Sequence, residues 1–129
     1  MLRRTIALAL AGLAVVAPPA LASPHWNSQF KNGTATASRD AGGCSIGQGS
    51  RAGSLFVTCA RNHEAALVYV FPTKHTAQGR PSYGVSATGW GRLYGSAKVA
   101  GDSIRLTLTV GSHSSVELNT VHVSYYTSN

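Results

Sequence analysis

The sequence predicts a single small all-β domain, an antiparallel barrel or sandwich of about seven to nine strands with one disulfide. Three observations carry that prediction. Apolar residues recur at every second position, whereas the i, i+3, i+4 spacing of a helix never persists beyond a turn or two. Clusters of Gly, Asn, Asp and Ser interrupt these runs at short, regular intervals, as in sandwiches and barrels. The chain has 129 residues, 43% of them hydrophobic, with two cysteines and 14 glycines that follow no Gly-X-Y period. That composition suits one folded domain and excludes a collagen-like or extended disordered chain.

Residues 1–22 read as a secretory signal peptide. Arg3 and Arg4 form a charged start, Ile6 to Ala17 are apolar throughout, Pro18 and Pro19 end any helix, and Ala20-Leu21-Ala22 offers the small residues a signal peptidase reads. The apolar run is too short to span a bilayer. Cleavage before Ser23 leaves residues 23–129 as the β domain, and removing Arg3 and Arg4 takes eleven basic residues to nine against four acidic, a net charge of +5. The expected location is therefore secreted or periplasmic. An oxidising compartment permits a disulfide, and Cys44 with Cys59 is the one pairing available within the chain.

Taken in order, Trp26 and Phe30 lie on a strand that precedes Asn32-Gly33, a hairpin signal. A hairpin centred near Arg51 pairs Cys44 with Cys59, Ile46 with Val57 and Gln48 with Leu55, which makes the cysteines cross-strand neighbours. Leu67 to Phe71 is apolar at every position and reads as a strand covered on both faces. Pro72 to Pro81 is the longest break, and long loops in small β domains often carry function. Gly101-Asp102 fits a two-residue type II′ turn that pairs Val99 with Ile104, Ala97 with Leu106 and Leu93 with Val110. Val121, Val123 and Tyr125 alternate inward on the last strand, with His122 turned away from the core.

No reaction motif is present. Asp40, Glu64, Asp102 and Glu117 are scattered, no Gly-x-Ser-x-Gly elbow occurs, and the glycines of 84–95 lack the spacing and following helix of a phosphate loop. His63, His75, His113 and His122 match no metal spacing, and Ser23-Pro24-His25 lacks the second amide nitrogen that amino-terminal copper binding requires. No cofactor and no metal are expected. Ser86-Ala87-Thr88-Gly89 followed by Tyr94 resembles a Ser-Ala-Ser-Gly-x-x-Tyr stretch of the secreted and periplasmic lysozyme inhibitors. It differs from that stretch in its threonine and in the gap before the tyrosine, and no binding residue is carried over from it.

If the strands run up and down, alternate turns gather at one end. One end then collects Arg39, Arg61, His63, Glu64, Trp90, Arg92 and His113, a basic rim with an aromatic platform. The other collects Arg51, Lys74, His75 and Arg80. Trp90, between Gly89 and Gly91, is the aromatic expected at the surface. These groups point to a non-enzymatic binding module whose ligand is an anionic polymer, polysaccharide or nucleic acid, or an extracytoplasmic protein. The alternative is a small metal-independent phosphodiester hydrolase, with His63 and His113 as general acid and base and Arg61 or Arg92 holding the phosphate.

Overall fold

A computed structural model describes residues 25–40 and 42–128; the signal peptide expected over residues 1–22 and the cleavage expected before Ser23 lie outside the described residues. Among the described residues nine strands follow in order: β1 (His25–Asn32), β2 (Ala37–Asp40), β3 (Cys44–Gln48), β4 (Leu55–Cys59), β5 (Ala65–Pro72), β6 (Ala77–Trp90), β7 (Leu93–Ala100), β8 (Ser103–Val110) and β9 (Ser114–Thr127). They form two antiparallel sheets, one built from β1, β9, β4, β3 and β6, the other ordered β2-β5-β8-β7. The architecture is a sandwich, not a closed barrel.

The 14-residue β9 organises the larger sheet. His122 pairs with both Phe30 of β1 and Gly84 of β6, and Val116 pairs with both Val57 of β4 and Gly89 of β6. A strand has two edges, so β6 occupies one while β4 and β1 share the other end to end. Between the two partners, at Asn119, β9 carries an extra residue relative to β6, whose register moves from Ser86↔Thr120 to Ala87↔Leu118. Such a bulge bends the strand. The inward set changes phase there, from Ser114, Val116 and Leu118 to Val121, Val123 and Tyr125.

The core lies between the sheets. Leu67, Tyr69 and Phe71 of β5 and Ile104, Leu106, Leu108 and Val110 of β8 face Val57, Leu118, Val121 and Val123, all of them fully buried. At roughly 1.5–3 kcal/mol for each large apolar side chain taken from water, this layer supplies most of the favourable free energy of folding. β5 nevertheless has one buried face: Ala66, Val68 and Val70 are only half-buried, so the expectation of a strand covered on both faces is overturned. Strand β5 lies centrally between β2 and β8, and the β-branched outward residues suit a pleated surface without needing a third layer.

Both assigned hairpins have the expected register. Cys44↔Cys59, Ile46↔Val57 and Gln48↔Leu55 pair across β3 and β4, and the cysteines form a disulfide. Val99↔Ile104, Ala97↔Leu106 and Leu93↔Val110 pair across β7 and β8, with Gly101 at φ 66°. Asn32-Gly33 is not a hairpin. Strand β1 pairs with β9, and the chain passes through residues 33–36 to the smaller sheet, where β2 continues in the same direction. Gly33 is required by close approach and not by a left-handed turn: a Cβ there would fall on the Leu118 carbonyl oxygen. Its own carbonyl accepts the Tyr69 hydroxyl at 2.6 Å.

The Pro72–Pro81 break is also shorter than expected. Pro72 pairs with Ser103 at the end of β5, and β6 already begins at Ala77, leaving residues 73–76 as the connection. Gly79 at φ 74° and Pro81 fall within an irregularity of β6, between Gln78↔Tyr126 and Ser82↔Ser124. An irregular stretch within a strand tolerates both residues.

Candidate functional site

Strand direction brings the turns at 60–64, 91–92 and 111–113 together at one end of the sandwich. The sheet neighbours do not follow sequence order, yet every pairing is antiparallel, and β1 and β2 together make one traverse, so alternate turns still meet. Hydrogen bonds lock the three turns to each other. The amides of His63 and His113 both donate to the Ala60 carbonyl, at 3.1 and 3.2 Å. The Asn62 amide donates to the Ser112 hydroxyl at 2.7 Å, the Gly111 amide to the Arg92 carbonyl at 2.8 Å, and the Arg92 amide to the Ser114 hydroxyl at 2.8 Å.

Five sequence candidates thus share this rim: Arg61, His63, Trp90, Arg92 and His113. The Trp90 and His113 rings lie 5.2 Å apart, tilted by 59°, and the His63 ring lies against Gly43. Asn62 at φ 67° and His113 at φ 54° are the non-glycine residues with positive φ among the described residues. Their left-handed backbones turn both segments back sharply at the rim. Arg39, on β2 opposite Ala66, belongs to the same end. Glu64 is engaged, accepting the Tyr94 hydroxyl at 2.9 Å, and that bond to a carboxylate raises the Tyr94 pKa above its ordinary value.

The second group of candidates is divided. Lys74 and His75 line a concavity of about 650 Å³ with His25, Trp26, Gln29 and Tyr125. Arg80 lines a different one, with Tyr83, Lys98 and Val99. Arg51 is removed from both, in the β3–β4 turn beside Glu117. That turn stops half-way along β9 because β4 pairs only with residues 114–118.

Trp90 is exposed as expected, at 56%, but it is not alone. Trp26, Phe30, Phe56, Tyr83, Tyr94 and Tyr126 are exposed as well. The sequence singles out Trp90 and assigns no face to Trp26 and Phe30, because alternation shows two faces without saying which lies inward. The available signal was the pattern Trp26-Asn27-Ser28-Gln29-Phe30-Lys31, in which no assignment of faces buries a purely apolar set.

No protein-family model matches the chain, and comparisons with curated proteins and with solved structures find no match.

Proposed function

We propose that the protein is a non-enzymatic binding module of the secreted or periplasmic space, and that its rim of Arg61, His63, Trp90, Arg92 and His113 holds an anionic polymer. The observation carrying this reading is the convergence of three turns on one rim, with the Trp90 indole beside the His113 imidazole. Guanidinium groups meet phosphate or sulfate by charge and paired hydrogen bonds, and an exposed indole stacks on a sugar or base. The net charge of +5 left to residues 23–129, nine basic against four acidic, favours encounter with polyanions.

The test is a salt titration of affinity for heparin and for single-stranded nucleic acid. Few cations sit on this rim, so the expected slope corresponds to about two to four contacts. Replacing Arg61 and Arg92 together with alanine flattens that slope. Absence of binding at low salt, or an unchanged slope in the double variant, rejects the polyanion and leaves an extracytoplasmic protein as the partner.

One observation favours a second reading. The shared Ala60 carbonyl brings the backbones of His63 and His113 together, as a general acid and base acting on one phosphodiester require. Hydrolysis of RNA or DNA by the wild type, lost in His63→Ala, would establish the hydrolase instead.

A further inference from the structure

Strand β1 is built inside out. Its inward positions are polar: Gln29 donates to the Pro72 carbonyl at 2.6 Å and the Tyr125 hydroxyl at 2.7 Å, Asn27 donates to Thr127 at 3.0 Å, and the Lys31 ammonium lies 5.6 Å from the Phe71 ring. Its outward positions carry rings, with Trp26 55% and Phe30 70% exposed. On β9 alongside, Tyr126 meets Trp26 with centroids 4.5 Å apart, and His122 stacks on Phe30 at 4.9 Å and 30°. Gly84 of β6 makes room for that imidazole, since a Cβ there would fall on the His122 ring.

A row of hydroxyls separates the two ring pairs. Exposed Ser28 is hydrogen-bonded at 2.9 Å to Ser124, which is buried, and exposed Ser82 pairs with Ser124 from the other side. Phe56 and Trp90 extend the same outer face toward the rim, in register with Glu117 and Ser115 respectively. Five exposed rings, Trp26, Phe30, Phe56, Trp90 and Tyr126, therefore project from one face of one sheet.

We propose that this outer face is a platform for a linear polysaccharide of low charge density. A pyranose presents an apolar face of C–H bonds and a margin of hydroxyls, and the sheet offers aromatic rings on either side of the exposed Ser28 and Ser82. Trp26 and Phe30 stand four residues apart, about 13 Å along the strand, which suits an oligosaccharide better than a single sugar.

The other occupants fit less well. Single-stranded nucleic acid needs cations that follow its phosphates. The five strands of this sheet hold two, Lys31 directed inward and Arg80 in the concavity beside β7. A bilayer favours contiguous apolar side chains, whereas the outward residues of β1 and of the paired half of β9 include no Leu, Ile, Val or Met. A stable dimer interface has a more continuous apolar centre than two ring pairs parted by serines. Of the five rings Trp90 also belongs to the proposed rim, but Trp26 and Phe30, on which the test acts, lie outside it, so the platform stands or fails separately.

The test measures retention on microcrystalline cellulose and on chitin at 0.5 M salt, where the charges of the rim are screened. The wild type is retained on at least one. Trp26→Ala/Phe30→Ala lowers the partition constant about tenfold or more, whereas Trp26→Phe/Phe30→Tyr keeps the rings and the retention. In a Trp90→Phe protein, Trp26 is the sole indole, and its emission shifts to the blue with cellohexaose or chitohexaose. This second readout decides the matter if the alanine variant loses its circular dichroism. No retention on either polysaccharide, retention indifferent to the alanine pair, or an unmoved Trp26 emission overturns the proposal. So does a Trp26/Phe30-dependent attachment to phosphatidylcholine vesicles, or a dimer in sedimentation equilibrium, without glycan binding.

Discussion

Glu117 shows how one side chain can join two strands and a turn. It pairs with Phe56 on one side and Thr88 on the other, and its carboxylate accepts from the Ser50 hydroxyl at 2.7 Å, the Ser50 amide at 2.8 Å and the Ser54 hydroxyl at 2.9 Å. Those bonds, the Ser50 hydroxyl foremost, hold its pKa below the ordinary carboxylate value. With the folded value depressed, the contribution to stability is present above the unfolded pKa, about 4.3, and is lost as pH falls through the folded value. Glu117→Gln should therefore lower the urea midpoint at pH 7, and the gap to wild type should close as both are titrated toward pH 2. A gap that stays constant with pH would remove the ionised carboxylate from the account. At the same scale, Gly33→Ala forces a Cβ onto the Leu118 carbonyl, and backbone cannot yield as a side chain can. A loss of about 1–3 kcal/mol is expected by chemical denaturation; an unchanged midpoint would mean that the passage between the sheets is free to shift.

The β3–β4 hairpin is legible in the sequence because two independent signals agree. A turn near Arg51 and the cysteine spacing both demanded Cys44 opposite Cys59, and the pairing is observed. The disulfide closes a segment with a sequence separation of 15, worth about 3 kcal/mol through the entropy of the unfolded chain. Cys44→Ser/Cys59→Ser should lose about that much in equilibrium denaturation and remain folded, because Val57 and its neighbours keep their burial. Equal stability of oxidised and variant proteins would place the constraint elsewhere. The inward face of β1, by contrast, is not legible in the sequence. Alternation shows that a segment has two faces, but Trp26 and Phe30 opposite Asn27, Gln29 and Lys31 do not say which face lies inward, and Asn32-Gly33 misled because glycine serves close approach as well as turns.

At the scale of the whole molecule, the two sheets are held by one layer of side chains, to which β5 and β8 contribute most of the fully buried members. Leu106 pairs with Tyr69 and Ala97 at the centre of the smaller sheet. Leu106→Ala is expected to cost about 2–5 kcal/mol, read as a common shift of far-ultraviolet circular dichroism and tryptophan fluorescence. Separate transitions by the two probes would show that the sheets unfold independently. The shared layer also bears on the rim. Its turns come from three strand pairs in both sheets, so the positions of His63, Trp90 and His113 rest on the packing of one sheet against the other.

Periodicity, turn chemistry and cysteine spacing are local properties, and through them the sequence by itself determined the all-β class, both assigned hairpin registers and the disulfide. The common end for Arg61, His63, Trp90, Arg92 and His113 was also legible, because successive antiparallel strands reverse direction whichever neighbours they choose. Tertiary structure alone decided that β9 is shared by β1, β4 and β6, that Lys74 and Arg80 face different concavities, and that the rings of Trp26, Phe30 and Tyr126 point outward. Strand neighbours far apart in sequence are chosen by the total burial of the two sheets. Once Val121, Val123 and Tyr125 fill the interior, the face left to β1 is set by its partner and not by its own hydropathy.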